Sequence, residues 1–159
     1  MLSFSIQTLS QGAVQVESDL ASNDAVWLEG DVRPVTAVRV TGRLSGAGSD
    51  RFYFSGTFEG TAAGECRRCL VPVEYKVTGE SHLIFADADD ETADEPDVYP
   101  LGDMGTMLDL RPAIREQWLL DASDLPLCRP DCKGFCATCG AELNNGPCAC
   151  KPESFGAAT

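Results

Sequence analysis

Eight cysteines constrain this chain more than any other feature, and their placement is uneven. Cys128, Cys132, Cys136, Cys139, Cys148 and Cys150 fall in the last fifth, while Cys66 and Cys69 form a short pair far upstream. The central run reads Cys136-Ala137-Thr138-Cys139-Gly140, then Asn145-Gly146, then Cys148-Ala149-Cys150. Two residues between cysteines let one tight turn aim both sulfurs at one ion. Gly140 can take the positive φ that such a turn demands just after its second ligand. Asn145-Gly146 is a hairpin signal that folds the chain back. A Cys-x-Cys pair in an extended segment places both sulfurs on one face. Cys136, Cys139, Cys148 and Cys150 are therefore expected to converge on one metal, and four soft thiolates suit zinc.

The remaining four cysteines suggest a second zinc site. Cys66 and Cys69 supply half of it. Cys128 and Cys132 have a spacing within the zinc range, and one helical turn would put them on one face. Such a site would tie the upstream half of the chain to its tail. A single site made by Cys66, Cys69, Cys136 and Cys139, with four thiols left free, is the alternative pairing. Arg67 and Arg68 between Cys66 and Cys69 could also lower a thiol pKa and make a reactive dithiol. No helix opens directly after the pair, however, as a thioredoxin-like site requires.

The stretch Met1-Leu2-Ser3-Phe4-Ser5-Ile6-Gln7 has neither a basic run nor an apolar block, so a secretory signal is not expected. No segment approaches the ~20 apolar residues of a membrane span. The expected setting is cytoplasmic, without a membrane partner, where clustered cysteines signify metal or redox chemistry and not structural disulfides. The net charge of −13 argues against charge-driven binding to nucleic acid and favours a basic protein partner or simple solubility. The basic residues nearest the cysteines are Arg67, Arg68, Arg129, Lys133 and Lys151. They either offset thiolate charge or dock a partner; Arg67, Arg68, Arg129 and Lys133 are the partner-binding candidates.

The first 85 or so residues read as short strands broken by turns. Val71, Val73, Tyr75 and Val77 alternate with polar neighbours, as do Phe52 and Phe54 before Ser55-Gly56, where a bulge or kink is expected. Residues 35–40 read as another strand and 45–50 as a loop. Residues 87–97 carry Asp87, Asp89, Asp90, Glu91, Asp94, Glu95 and Asp97 with no basic residue, the composition of a solvated, mobile loop. One helix is expected over about 109–120, capped by Asp109, with Pro112 in its first turn and Leu110, Ile114 and Trp118 as an apolar stripe. The fold class is α+β, mostly β: an antiparallel sheet or partly closed barrel with one helix and a C-terminal cysteine-rich zinc knuckle. The expected organisation is a β-rich domain over 1–127, a zinc-binding tail over 128–151 and a loose end over 152–159.

The chain lacks a Gly-rich phosphate loop ending in Lys-Ser/Thr, a His-Glu-x-x-His and a Gly-x-Ser-x-Gly. Its one histidine, His82, sits in the strand-like Ser81-His82-Leu83-Ile84-Phe85. No enzyme activity and no small-molecule substrate are expected. Taken together, Cys66-Arg67-Arg68-Cys69-Leu70, the acidic loop, Leu108-Asp109-Leu110, Leu125-Pro126-Leu127-Cys128 and the run from Cys132-Lys133-Gly134-Phe135-Cys136 through Cys139-Gly140 to Leu143-Asn144 resemble the YceD family, the large ribosomal RNA subunit accumulation proteins. Relatives often carry Leu and Pro where this chain has Phe135 and Ala137. The resemblance implies a non-enzymatic role in large-subunit ribosomal RNA accumulation and ribosome biogenesis. It also implies a large-subunit ribosomal protein or pre-ribosomal RNA as partner. The alternative function is a redox-responsive zinc switch or holdase chaperone, which would release zinc on oxidation.

Overall fold

The computed structural model describes residues 1–48, 50–102, 105–122 and 125–150. Lys151 and the segment 152–159 lie outside the described residues. The chain divides into two compact units, Met1–Ala63 with Glu74–Asp124, and Gly64–Val73 with Leu125–Thr159.

The first unit is built on a sheet of β2 (Val14–Leu20), β3 (Val38–Gly46), β4 (Arg51–Glu65), β5 (Pro72–Ala86) and β6 (Val98–Pro100), adjacent in that order. β1 (Ser3–Ser5) pairs separately with β7 (Met107–Asp109), and α1 (Ile6–Leu9) and α2 (Arg111–Asp121) complete the elements. The fold is mostly β, as the alternation implies, and the five-stranded sheet does not close into a barrel. β2–β3 and β3–β4 are antiparallel, whereas the edge pair β5–β6 is parallel.

Alternation decides which face is buried. Phe52, Phe54, Phe58 and Ala62 of β4 lie on the core face, with Val38, Val40 and Leu44 of β3 beside them. Each large apolar side chain so buried contributes about 1.5–3 kcal/mol. The expected break at Gly56 does not occur. The β3–β4 register runs unbroken from Arg39↔Glu59 to Gly46↔Phe52, and Gly56 pairs with Gly42. A Cβ on either glycine would strike the Phe54 ring, so the pair makes room for a core aromatic. The strand expected over 35–40 instead begins at Val38 and continues through Gly46, into the segment expected as loop. Pairing shifts register between Pro34↔Ala62 and Arg39↔Glu59, which delays the start.

α2 buries Ala113, Ile114 and Trp118, and Leu110 immediately before it is fully buried. The expected apolar stripe is therefore core. Trp118 packs edge-on against Trp27, 6.3 Å between ring centroids, and tilted against Phe58 at 6.5 Å. Its indole N–H donates to Val32 O at 2.7 Å. Asp109 lies within β7, ahead of the helix, because it pairs with Ser3. Its carboxylate still accepts the Arg111 main-chain N–H at 3.0 Å.

The acidic segment is not wholly solvated. Arg51 makes two 2.8 Å bonds to the Asp90 carboxylate, whose Oδ1 also accepts from the Thr92 N–H and hydroxyl. The Arg51 and Thr92 bonds hold the Asp90 carboxyl well below its usual range. The stretch 21–37 is tied down by Asp31, which takes two 2.7 Å bonds from Arg115. Among the described residues, no helix is long and apolar enough to cross a membrane.

Candidate metal centres

All eight cysteines belong to the second unit, and the same short loop occurs in it twice. Between β4 and β5, the Cys66 N–H donates to Val71 O and the Leu70 N–H to Cys66 O, both at 2.9 Å. Further on, the Cys136 N–H donates to Ala141 O at 2.8 Å and the Gly140 N–H to Cys136 O at 2.9 Å. In each loop the residue after the second cysteine is left-handed, Leu70 at φ +61° and Gly140 at φ +72°. Glycine adopts that conformation freely, whereas a leucine there costs roughly 1–2 kcal/mol. Both loops turn main-chain N–H groups over the first cysteine's sulfur, those of Arg68 and Cys69 in the first and of Thr138 and Cys139 in the second.

The partner cysteines arrive differently from expectation. Cys128 and Cys132 flank a tight turn over Pro130–Asp131, closed by the Cys132 N–H on Arg129 O at 3.1 Å, and not a helical turn. Pro130 inside the spacer disfavours a continuing helix. The reversal ahead of Cys148 is a 3-10 turn over Leu143–Asn145 followed by Gly146 at φ +137°, and not a two-residue hairpin. The antiparallel bridge Phe135↔Glu142 straddles the Cys136–Cys139 loop instead. Cys150 lies in a bend and not in an extended run.

The structure brings together Cys66, Cys69, Cys128 and Cys132 in one group, and Cys136, Cys139, Cys148 and Cys150 in another. Within each group the four sulfurs lie within 4.8 Å of one another. Cys66 and Cys69 are thus grouped away from Cys136 and Cys139. Zinc–sulfur bonds of about 2.3 Å in a tetrahedron imply sulfur–sulfur edges of about 3.8 Å. Cys66–Cys132 at 3.7 Å and Cys69–Cys128 at 3.6 Å match that edge and are far too long for disulfides. The donor set and spacing therefore fit a tetrathiolate metal in both groups.

Electrostatics within each group are split. Burial opposes charge on Cys66, but main-chain N–H groups of Cys69, Cys128 and Arg68 outweigh it and bring its thiol down to about 5. Burial, then the neighbouring Cys69 sulfur, pushes Cys128 up to about 12. In the other group the N–H groups of Cys139 and Thr138 hold Cys136 at about 6. The Cys139 side chain and burial push Cys150 up to about 12. Four adjacent thiolates repel, so some thiols are driven to ionise while others keep their protons. A divalent cation at the centre removes that conflict for all four.

The four basic candidates have distinct settings. Arg68 donates from Nη1 to Cys132 O at 2.8 Å, bracing one half of its tetrad against the other. Arg129 lies 3.6 Å from the Asp131 carboxylate. Arg67 is exposed, its main-chain N–H held by Pro126 O at 2.9 Å. Lys133 is exposed beside Gly134, whose φ of +69° and closeness to Arg68 exclude a side chain; a Cβ would sit 2.9 Å from Arg68 O. The same unit exposes Leu70, Leu125 and Phe135. Sequence reasoning missed the role of Asn144, whose side chain donates to Cys132 Sγ at 3.3 Å. No spacing rule marks such a residue, because its partner is brought close only by the fold.

Comparison with known proteins gives a consistent picture. The profile of the family described as "Large ribosomal RNA subunit accumulation protein YceD" matches residues 54–157. An uncharacterized protein of Mycobacterium tuberculosis is 36% identical over 102 residues, covering 62% of this chain and 48% of that protein. One of Mycobacterium leprae is 34% identical over 98 residues, 60% of this chain and 44% of that protein. A maize protein, "Large ribosomal RNA subunit accumulation protein YCED homolog 1, chloroplastic", is 42% identical over 48 residues, 30% of this chain and 16% of that protein. The matched segment spans about half the length of the mycobacterial relatives. No solved structure gives a significant match.

Proposed function

The chain belongs to the YceD family, and from that premise we propose that it is a non-enzymatic, zinc-folded factor in large-subunit ribosomal RNA accumulation. One observation carries the zinc half of this reading: two separate groups of four cysteine sulfurs, each within 4.8 Å. In each, the cysteines would hold the ion and the main-chain N–H groups of the two repeated loops would steady the thiolates. Bound zinc would act as a cross-link between distant segments, since four protein ligands leave no open position for substrate.

The partner is best supplied by a basic protein of the large subunit. A net charge of −13 repels bare phosphate everywhere except near Arg67, Arg68, Arg129 and Lys133. Exposed Asp87, Asp89, Glu91, Asp94, Glu95 and Asp97 are free to steer a cationic partner, whereas Asp90 is occupied by Arg51. Depleting the protein should lower large-subunit ribosomal RNA and its particles, with rescue by the wild-type gene. Rescue by a variant lacking both Cys136 and Cys139 would show that the tail's metal is dispensable. Charge neutralisation of the six exposed acids should slow association with the partner and flatten its salt dependence. Tight binding to bare ribosomal RNA, insensitive to those acids, would move the contact to the four basic residues.

A further inference from the structure

Asn144 lies between Cys139 and Cys148, within the chain segment that joins the two halves of the C-terminal cysteine group. Its side chain nevertheless serves the other group. Nδ2 donates to Cys132 Sγ at 3.3 Å, and Oδ1 accepts the Lys133 main-chain N–H at 3.0 Å. The two bonds fix the amide's orientation, because the reverse would face a carbonyl to sulfur and an NH2 to an N–H. Cys132 is 2% exposed, so water cannot readily replace that donor. The segment is itself pinned, by Leu143 N–H on Gly134 O at 2.9 Å and by the Phe135↔Glu142 bridge.

We propose that Asn144 is a positioning residue that couples the two cysteine groups: metal in the C-terminal group orders the segment that presents the Asn144 amide to Cys132. An N–H bonded to a ligand thiolate disperses its charge and fixes its direction, and loss of such a partner typically weakens metal binding about 10–100-fold. Emptying the C-terminal group loosens the Asn144 segment and removes the donor. By linkage, filling either group then raises affinity at the other by the same factor. The inference rests on the metal-bound reading of both groups.

The test uses the full chain loaded with zinc, titrated with a chromophoric chelator, and reloaded with cadmium for 113Cd resonance measurements. Two tetrathiolate resonances are expected. Asn144→Ala should weaken the Cys66/Cys69/Cys128/Cys132 site about 10–100-fold and move its resonance, and by reciprocity it should weaken the other site by the same factor when the first is filled. Asn144→Asp keeps the acceptor for Lys133 but offers sulfur no N–H, so it should weaken the same site and move the same resonance. A variant carrying Cys148→Ser and Cys150→Ser should weaken that distant site by a similar factor. Wild-type affinity and resonance in Asn144→Asp would overturn the proposal, as would an undisturbed first site in the double cysteine variant. Two metals bound with indifference to Asn144 would overturn the coupling alone. A wild-type chain that binds neither zinc nor cadmium would overturn the metal reading with it.

Discussion

The first unit buries Trp27, Phe54, Phe58, Phe85 and Trp118 in one continuous apolar cluster, while the second, among its described residues, buries Cys66, Cys69 and Cys132 with Val73 and Leu127 packed against them. Ordering each residue costs about 1–2 kcal/mol of backbone entropy. The first unit can offset that with apolar area. The second has little such area in its described residues, and the proposed metal cross-links through sulfur would make up the difference. One chain therefore carries two kinds of stability, which should respond to different perturbations.

The largest effect expected is local. Cys139→Ser should empty the C-terminal group and unfold residues from about Gly134 to Cys150, since structural zinc supplies about 10–16 kcal/mol of folding free energy in small domains. Amide exchange should rise there and stay slow in β2–β5. Fast exchange throughout both units would erase the distinction between them.

Trp118→Ala is the reciprocal experiment. It removes a fully buried ring and leaves Val32 O without its donor, at a cost of about 3–5 kcal/mol. Denaturant unfolding of the first unit should shift accordingly, with unchanged metal content. Loss of metal in this variant would mean that the two stabilities are not separate.

Acid should act on the first unit through Asp31. Its hydrogen bonds from Arg115 outweigh burial and hold its folded pKa below the ordinary value. A lowered carboxyl pKa stabilises the fold above the unfolded value of about 3.9, and that stability is lost as pH falls through the lower folded value. Asp31→Asn should flatten the decline in stability below about pH 4. An unchanged acid limb would show that the pair adds nothing.

The smallest effect concerns Leu70. Glycine at its φ of +61° relieves the strain that leucine bears. Leu70→Gly should stabilise the second unit by up to about 1 kcal/mol, after the entropy glycine brings to the unfolded chain. Weaker metal retention in this variant would show that the exposed leucine packs usefully.

Much of this architecture is legible from residue order because its causes are local. Period-two alternation marks β4 and β5, and four-residue spacing marks the buried stripe Leu110, Ile114 and Trp118. Gly140 takes the positive φ that its loop demands. What the sequence hid depends on distant partners. Asp109 looks like a helix cap until Ser3 pairs with it in β7. Asp90 looks like one more solvated acid until Arg51, 39 residues earlier, reaches it. Trp27 and Asp31 sit in a stretch without periodicity and matter only because α2 brings Trp118 and Arg115 to them. Leu70 disguises a loop that Gly140 advertises, since nothing local requires a leucine to be left-handed.

The central claim is that metal folds the second unit and not the first, and amide exchange before and after chelation at neutral pH tests it most directly. The freshly purified, reduced protein should carry two zinc ions. Removing them should abolish protection across 66–71 and 125–150 while β2–β5 and α2 exchange as before. A metal-free preparation with all eight thiols freely titratable and slow exchange across 125–150 would contradict it.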